Sequence, residues 1–349
     1  MQLFPPATLT VPPISFGDLA PDGLGILDED GLAAWDQRSI AIGDVHAFQI
    51  SDAVVHPPHG VITVGDYALD ETLAHVPFHL PGYGKRDDAI TIPLADARIG
   101  LSEAFHGFAG GFDNYYHWLI DIVSRLQLRP YGPIAYDGVL LLPPRETRFH
   151  DDLVDIFAGS RPTLTLTHAH AAAIGNLTWV PNLAGHGYAP NPQLRLVFDR
   201  LRQALGVRSR PKRRVYLSRR GAANRVLVNE DEVESMLQRY GFEVVELGRL
   251  SFPDQVRLFS EASHVVAPHG AGLANVVFCP AGAAVLELHM NVYLNWCFRR
   301  LGGVRNLRYG CLVGATDLSG GWNGWAHDKR WAAPLDRLRS ALEDPRFTG

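Results

Sequence analysis

Apolar and polar positions change period along the chain, most regularly in its second half. "RVYLSR" (Arg214–Arg219), "EVVEL" (Glu243–Leu247), "HVVAP" (His264–Pro268) and "AVLELH" (Ala284–His289) are short, β-branched and apolar. "NEDEVESMLQRYG" (Asn229–Gly241) and "SFPDQVRLFSEA" (Ser251–Ala262) space apolar residues at helical intervals, and "AGLANVVF" (Ala271–Phe278) reads as a third helix. Asn229, with Glu232 three residues on, predicts a helix start, as do Ser251 and Asp254; Gly241 predicts a stop. Strands alternating with helices predict a parallel sheet covered on both faces.

The first half is less regular. Residues 1 to about 105 hold short β-type runs such as "GVITV" (Gly60–Val64) and "AITIPL" (Ala89–Leu94) among prolines and glycines, predicting a β-rich, loop-rich opening. "FDNYYHWLIDIVSRLQL" (Phe112–Leu128) predicts a helix with Asn114 as N-cap and a core stripe of Leu119, Ile122, Val123 and Leu126. A strand over Gly138–Pro144, a helix over Phe149–Ala158, a strand pair within 164–182 and a helix over Pro192–Gly206 follow. The expected organisation is an N-terminal domain over 1–205, a Rossmann-like domain over 206–318, and a tail with a helix over 319–349.

From Ala262 to Leu286 there are 25 residues without Asp, Glu, Lys or Arg. Pro268, Pro280, Gly270, Gly272 and Gly282 cut this run into short elements, which excludes a single spanning helix. With 349 residues, 46% hydrophobic and 20% charged, the chain suits two globular domains. A net charge of −5 gives no global field toward nucleic acid. Cys279, Cys297 and Cys311 lack C-x-x-C spacing and are expected as buried thiols. The first residues lack the basic and apolar regions of a secretory signal, so a cytoplasmic location is expected, with peripheral contact at the inner membrane face.

In parallel α/β sheets ligands bind beyond the carboxyl ends of the strands. Two such ends carry suitable chemistry. His269, Gly270, Ala271 and Gly272 lead from a strand into a helix, so backbone N–H groups and the helix dipole can meet a phosphate; Asn275 lies within that helix. Glu287, at the next strand end, is placed to accept from ribose hydroxyls. Ser218, Arg219, Arg220 and Arg225 follow another strand, and arginines bind diphosphates in bidentate fashion. A partial G-x-G-x-x-G, with Asn275 in the third position, leaves an NAD-dependent oxidoreductase as the alternative. A non-catalytic carbohydrate-binding protein is a third class.

In the first half, His117 and Asp121 stand at i and i+4 with Asn114 one turn earlier, a polar row facing away from the apolar stripe. Either side chain could take a proton near neutral pH. His168 and His170 lack a third ligand nearby. Asp28-Glu29-Asp30 has the spacing of a metal–nucleotide motif but follows no nucleotide-binding strand.

These segments, in this order, resemble glycosyltransferase family 61, which includes plant xylan glycosyltransferases and animal O-linked GlcNAc transferases. "NYYHWLID" resembles its N-x-x-H-x-x-x-D helix, "YLSRRGAANRVLVNE" its Y-I-S-R…R…N-E stretch, and the block from Leu250 to Leu288 its H-G-A-G-L region. The resemblance covers about residues 105–290. It implies a GT-B fold, α/β with two Rossmann-like domains facing across a cleft, here preceded by the β-rich segment. It also implies an inverting transferase that needs no metal or other cofactor and takes a nucleotide-sugar, expected to be a UDP-sugar. The acceptor would be a glycan or lipid-linked glycan, as for a bacterial capsular- or exopolysaccharide-like member. His117 and Asp121 would then be catalytic, with Asn114 supporting. Ser218, Arg219, Arg225, His269, Gly270, Ala271, Gly272 and Glu287 would hold the donor, and Asn229, Glu230 and Asn275 would brace them.

Overall fold

The computed structural model describes all residues except 26–27, 75, 109–110, 112–113, 127–137, 159–160, 182, 184–187, 209, 323–325, 327 and the side chain of 157. The chain divides into two compact units, Met1–Ala7 with Gly43–Gly187, and Thr8–Ile42 with Tyr188–Gly349. The division falls at 187/188 rather than 205/206. Residues 8–42 and the 319–349 tail, expected apart, both belong to the second unit.

In that unit five strands run parallel. Their order is Glu243–Val245, Arg213–Leu217, Ala262–Pro268, Ala284–Met290 and Arg308–Thr316. In chain order this is 2-1-3-4-5, which places a topological switch point between Arg213–Leu217 and Ala262–Pro268. The helices Glu230–Arg239, Phe252–Ser260 and Cys297–Arg305 lie between consecutive strands. Ala271–Phe278 is a 3₁₀ helix, tighter than the α-helix its pattern suggests. Every residue of Ala284–Met290 is buried, as both faces of a helix-covered parallel strand require. The long uncharged run is therefore core, and among the described residues no helix is long and apolar enough to cross a membrane.

Local signals fare unevenly. Ser251 caps its helix by accepting from the N–H of Asp254. Asn229 precedes its helix but does not cap it with its side chain. Its amide instead pairs with both the N–H and the C=O of Ala333, each at 2.9 Å. The C-terminal helix Leu335–Glu343 packs Leu338, Ala341 and Leu342 into the same core as Phe16, Leu286 and Leu312.

One buried cation gathers several carbonyls of the 8–42 segment. Ile14–Gly17 lies parallel to Arg308–Thr316. The fully buried Arg299 donates to the carbonyls of Pro12 (2.8 Å), Trp35 (2.7 Å) and Gln37 (3.0 Å). Its guanidinium also lies 5.4 Å from the Trp296 ring centroid.

The first unit holds a second mixed sheet, ordered Thr163–Thr165, Val139–Leu142, Ala97–His106, His170–Trp179, Phe48–His56, Val61–Val64 and Tyr67–Ala68. The first four strands are parallel, and the last three extend the sheet antiparallel. Of the β-rich opening, Phe48–His56, Val61–Val64, Tyr67–Ala68 and Ala97–His106 are built into this sheet. Its core includes Val55, Ile62, Phe108, Leu141, Ile174 and Leu177. The expected helix at 112–128 is helical from Tyr115 to Leu126, with His117–Val123 wound as a π-helix; 112–113 and 127–128 lie outside the described residues. Its polar row is not a solvent face: Tyr116 to Leu126 are buried throughout.

Arg299→Met removes three donors from buried carbonyls. The expected loss is about 3 kcal/mol, read as a lower urea midpoint, with faster proteolysis within residues 8–42. An unchanged midpoint would show that the apolar contacts suffice.

Candidate functional site

At the switch point of the second unit, Arg219 and Gly270 follow the two central strands. A Cβ on Gly270 would lie 2.1 Å from Arg219 Nη1, so the guanidinium lies against the glycine Cα where only hydrogen fits. Arg219 is oriented from both ends. Its backbone N–H donates to Glu230 Oε1 at 2.7 Å, and its Nη2 donates to the carbonyl of Asn224 at 2.9 Å. Arg225 adopts a left-handed φ of 52°, a strained setting for a non-glycine residue, with its guanidinium 5.3 Å from the Tyr293 centroid.

The two arginines are close enough to repel. Burial, then the charge of Arg225, brings Arg219 down to about 10; burial lowers Arg225 as well. Among the described residues neither forms a carboxylate ion pair, and both Nε atoms are buried without a partner. Arg220, by contrast, is spent on Asp231 at 2.6 Å and Glu234 at 2.7 Å. The N–H groups of Ala271 and Gly272 open the 3₁₀ helix, whose first described turn bond runs from Leu273 N–H to Gly270 C=O. Two desolvated cations beside a helix start make a site for an anion.

Ser218 was expected on the donor, and Glu230 and Asn275 as braces. Ser218 turns its hydroxyl to Glu230 (3.1 Å) and Glu234 (3.0 Å). Glu230 is a brace, gathering Tyr216 O–H, Ser218 O–H and the Arg219 N–H on one oxygen. Asn275 is fully buried and ties Gly272 C=O to Gln255, both at 3.1 Å.

Glu287 is the main correction. It is fully buried, not open to a ribose. Oε1 meets His269 Nδ1 at 2.5 Å and Oε2 accepts from Tyr309 O–H at 2.5 Å; His289 Nε2 is 3.5 Å away. Burial alone would raise its pKa, but the contacts with His289 and His269 lower it on balance. Burial lowers His269 to about 4 despite Glu287. The pair is an ionised carboxylate and a neutral imidazole, so Nδ1–H donates and Nε2 is the lone-pair nitrogen. The acid that a dinucleotide reader would use for ribose is therefore committed elsewhere.

In the first unit, His117 Nδ1 meets Asp121 Oδ2 at 2.6 Å. Asn114 Oδ1 caps the helix start, accepting from Tyr116 N–H at 2.8 Å. Asp121 is 1% exposed, so His117 is the outward member of the pair, and Asp121 Oδ1 is buried without a partner. Arg125 fixes this turn by donating to the carbonyls of Asp121 (2.6 Å), Val180 (3.1 Å) and Phe108. Gly111, at φ +67°, lies against the ring: a Cβ there would meet His117 Cδ2 at 2.5 Å.

His289, Tyr309 and Gly111 were not singled out in the sequence. His289 shares Glu287's strand face, a signal that was available; Tyr309 reaches the carboxylate only through sheet register. Among the described residues, the one grouping with metal-like spacing is His269, Glu287 and His289, with donor atoms within 4.8 Å of one another. Within it His269 Nδ1 is bonded to Glu287, and His289 Nε2 also lies 3.3 Å from the Tyr309 hydroxyl. His168 and His170 are exposed. Asp28 caps a helix through Gly31 N–H (2.8 Å) and accepts from Leu294 N–H (2.7 Å). The three cysteines are buried and free, with thiol pKa values raised by burial.

The site sets two arginines beside a strand-to-helix turn in an α/β unit, and the chain is similar to known sequences. Residues 115–286, just under half of the chain, match the family model Glycosyltransferase 61. It is 35% identical over 97 residues to the fruit-fly (Drosophila melanogaster) EGF domain-specific O-linked N-acetylglucosamine transferase, covering 27% of this chain and 18% of the relative. It is 43% identical over 68 residues to the cattle (Bos taurus) protein O-linked-mannose beta-1,4-N-acetylglucosaminyltransferase 2, covering 19% and 12%. The chain thus spans less than a fifth of the length of these curated relatives.

Two outcomes follow. Gly111→Ala is expected to cost about 1–3 kcal/mol, from strain at positive φ and the crowded ring, seen as a lower thermal midpoint; an unchanged midpoint would mean the ring yields freely. Stability should also fall in mild acid. His106, His150 and His269 are held at about 3, 4 and 4, chiefly by burial, below the ordinary histidine value of 6.5. A histidine lowered in the folded state binds protons better when unfolded. Its stabilising contribution is complete above about 6.5 and declines as pH drops toward the folded value, by up to about 1.4 kcal/mol per pH unit per group. Denaturant midpoints at pH 7.5 and 5 test this, and equal midpoints would refute it.

Proposed function

We propose that the chain transfers a sugar from a nucleoside-diphosphate sugar to a hydroxyl of a glycan or lipid-linked glycan, inverting the anomeric carbon. The observation that carries this reading is the pair of desolvated arginines, Arg219 and Arg225, at the switch point of a parallel sheet in a chain that matches the family 61 model. Their fixed charge would stabilise the departing diphosphate in the place of a metal ion. The N–H groups at Ala271 and Gly272 would add donors to the same phosphates. A UDP-sugar is the proposed donor and no metal the proposed requirement. A GT-B assignment goes with this reading, supported by a parallel-stranded sheet in each unit.

In the proposed step the acceptor oxygen attacks the anomeric carbon as His117 takes its proton. The bond from that carbon to the phosphate oxygen breaks, and its electron pair leaves with the diphosphate. One displacement inverts the centre. Asp121 acts as a positioning residue: it accepts from Nδ1–H, leaving Nε2 as the proton acceptor.

Thermal-shift measurements with UDP, GDP, CMP and NAD test the donor, because a true ligand stabilises by mass action. UDP is expected to stabilise without added divalent metal; stabilisation by NAD alone would overturn the transferase reading. Arg219→Ala and Arg225→Ala should each weaken UDP binding about tenfold or more. His117→Ala should abolish transfer and leave UDP binding near its original value. A fully active His117→Ala variant would remove His117 as the base.

A further inference from the structure

We propose that His269 takes up a proton when a diphosphate group binds, becoming the third cation of that site. The proposal rests on the diphosphate reading above and adds to it.

The geometry leaves the imidazole one open function. Nδ1 is committed to Glu287 at 2.5 Å. Nε2 has no hydrogen-bond partner among the described residues and is not one of the sealed atoms, while the side chain keeps 9% exposure. His269 directly precedes Gly270, whose Cα lies under Arg219 Nη1. A phosphate seated on Arg219 and the N–H groups of Ala271 and Gly272 is therefore beside this ring.

The charged and titratable surroundings are few. Glu287 and His289 face the ring from one strand, and Tyr309 reaches Glu287 from the next. Arg225 and Arg219 come from the turn after Arg213–Leu217. Tyr293 and Phe298 close the sides at 5.3 and 5.0 Å between centroids. Without ligand, burial and the positive charge of Arg225 oppose protonation and hold the ring at about 4. A diphosphate reverses the sign of this field. It neutralises both guanidinium groups and places negative oxygens opposite Glu287, so an imidazolium has an anion on each side. The proton enters from solvent at Nε2, and Nε2–H donates to a phosphate oxygen; no other bond changes. A glutamine at 269 could not make this exchange.

Inorganic pyrophosphate, without metal, is the probe. Nitrogen-15 NMR of histidine-labelled full-length protein near pH 7 reads the ring directly, with His269→Gln identifying the signal. The free protein should show protonated Nδ1 and bare Nε2, and the bound protein should show both nitrogens protonated. Calorimetry in buffers of unequal ionisation enthalpy should give up to one more proton taken up by the wild type than by His269→Gln, a comparison that cancels pyrophosphate's own titration. Relative to that variant, wild-type affinity should weaken up to tenfold per pH unit as pH rises toward the pKa of the bound state. Pyrophosphate binding with Nε2 still bare overturns the inference and leaves the diphosphate site standing. No binding by either protein, with UDP also silent, removes the underlying reading and the inference together.

Discussion

A carboxylate cut off from water must be satisfied by its neighbours or lose its charge, and Glu287 sets that requirement at the centre of the second unit. The strands around it meet it with three side chains, from His269, Tyr309 and His289. Their placement depends on the parallel register of Ala262–Pro268, Ala284–Met290 and Arg308–Thr316. A shift of one residue would turn Glu287 to the opposite face and leave it unpaired. The same requirement fixes the ring of His269, and with it the side of the switch point facing Arg219 and Gly270.

Both units use one device. His117 with Asp121, and His269 with Glu287, are imidazoles whose Nδ1 is held by a buried carboxylate. In the first unit the carboxylate comes from the same helix, with Arg125 fastening its backbone; in the second it comes from the adjacent strand. Each arrangement fixes the ring's tautomer and orientation.

Much of this was legible from the chain. Periodicity found the alternating elements of residues 214–289, and helical spacing put His117 and Asp121 together. Turn chemistry marked Gly270. What escaped notice depended on tertiary pairing. Glu287 ends an apolar run and reads as a charge emerging into solvent; only the neighbouring strands reveal that it is enclosed. Asn229 has an N-cap's position, yet its amide binds Ala333, far along the chain. The π-winding of His117–Val123 has no distinct apolar period, because every side of that stretch is buried. The role of residues 8–42 was also hidden, since nothing in their composition names Arg299 as their partner.

That last pairing has a consequence for the order in which the protein can form. Thr8–Ile42 leaves the ribosome early, but the strand it joins and the guanidinium that gathers its carbonyls lie beyond residue 296. At about 5–20 residues per second, the segment waits on the order of tens of seconds for its partners. Residues 43–187, which hold the other sheet, are synthesised meanwhile. Residues 8–42 are thus made before residues 43–187 but find their place after them.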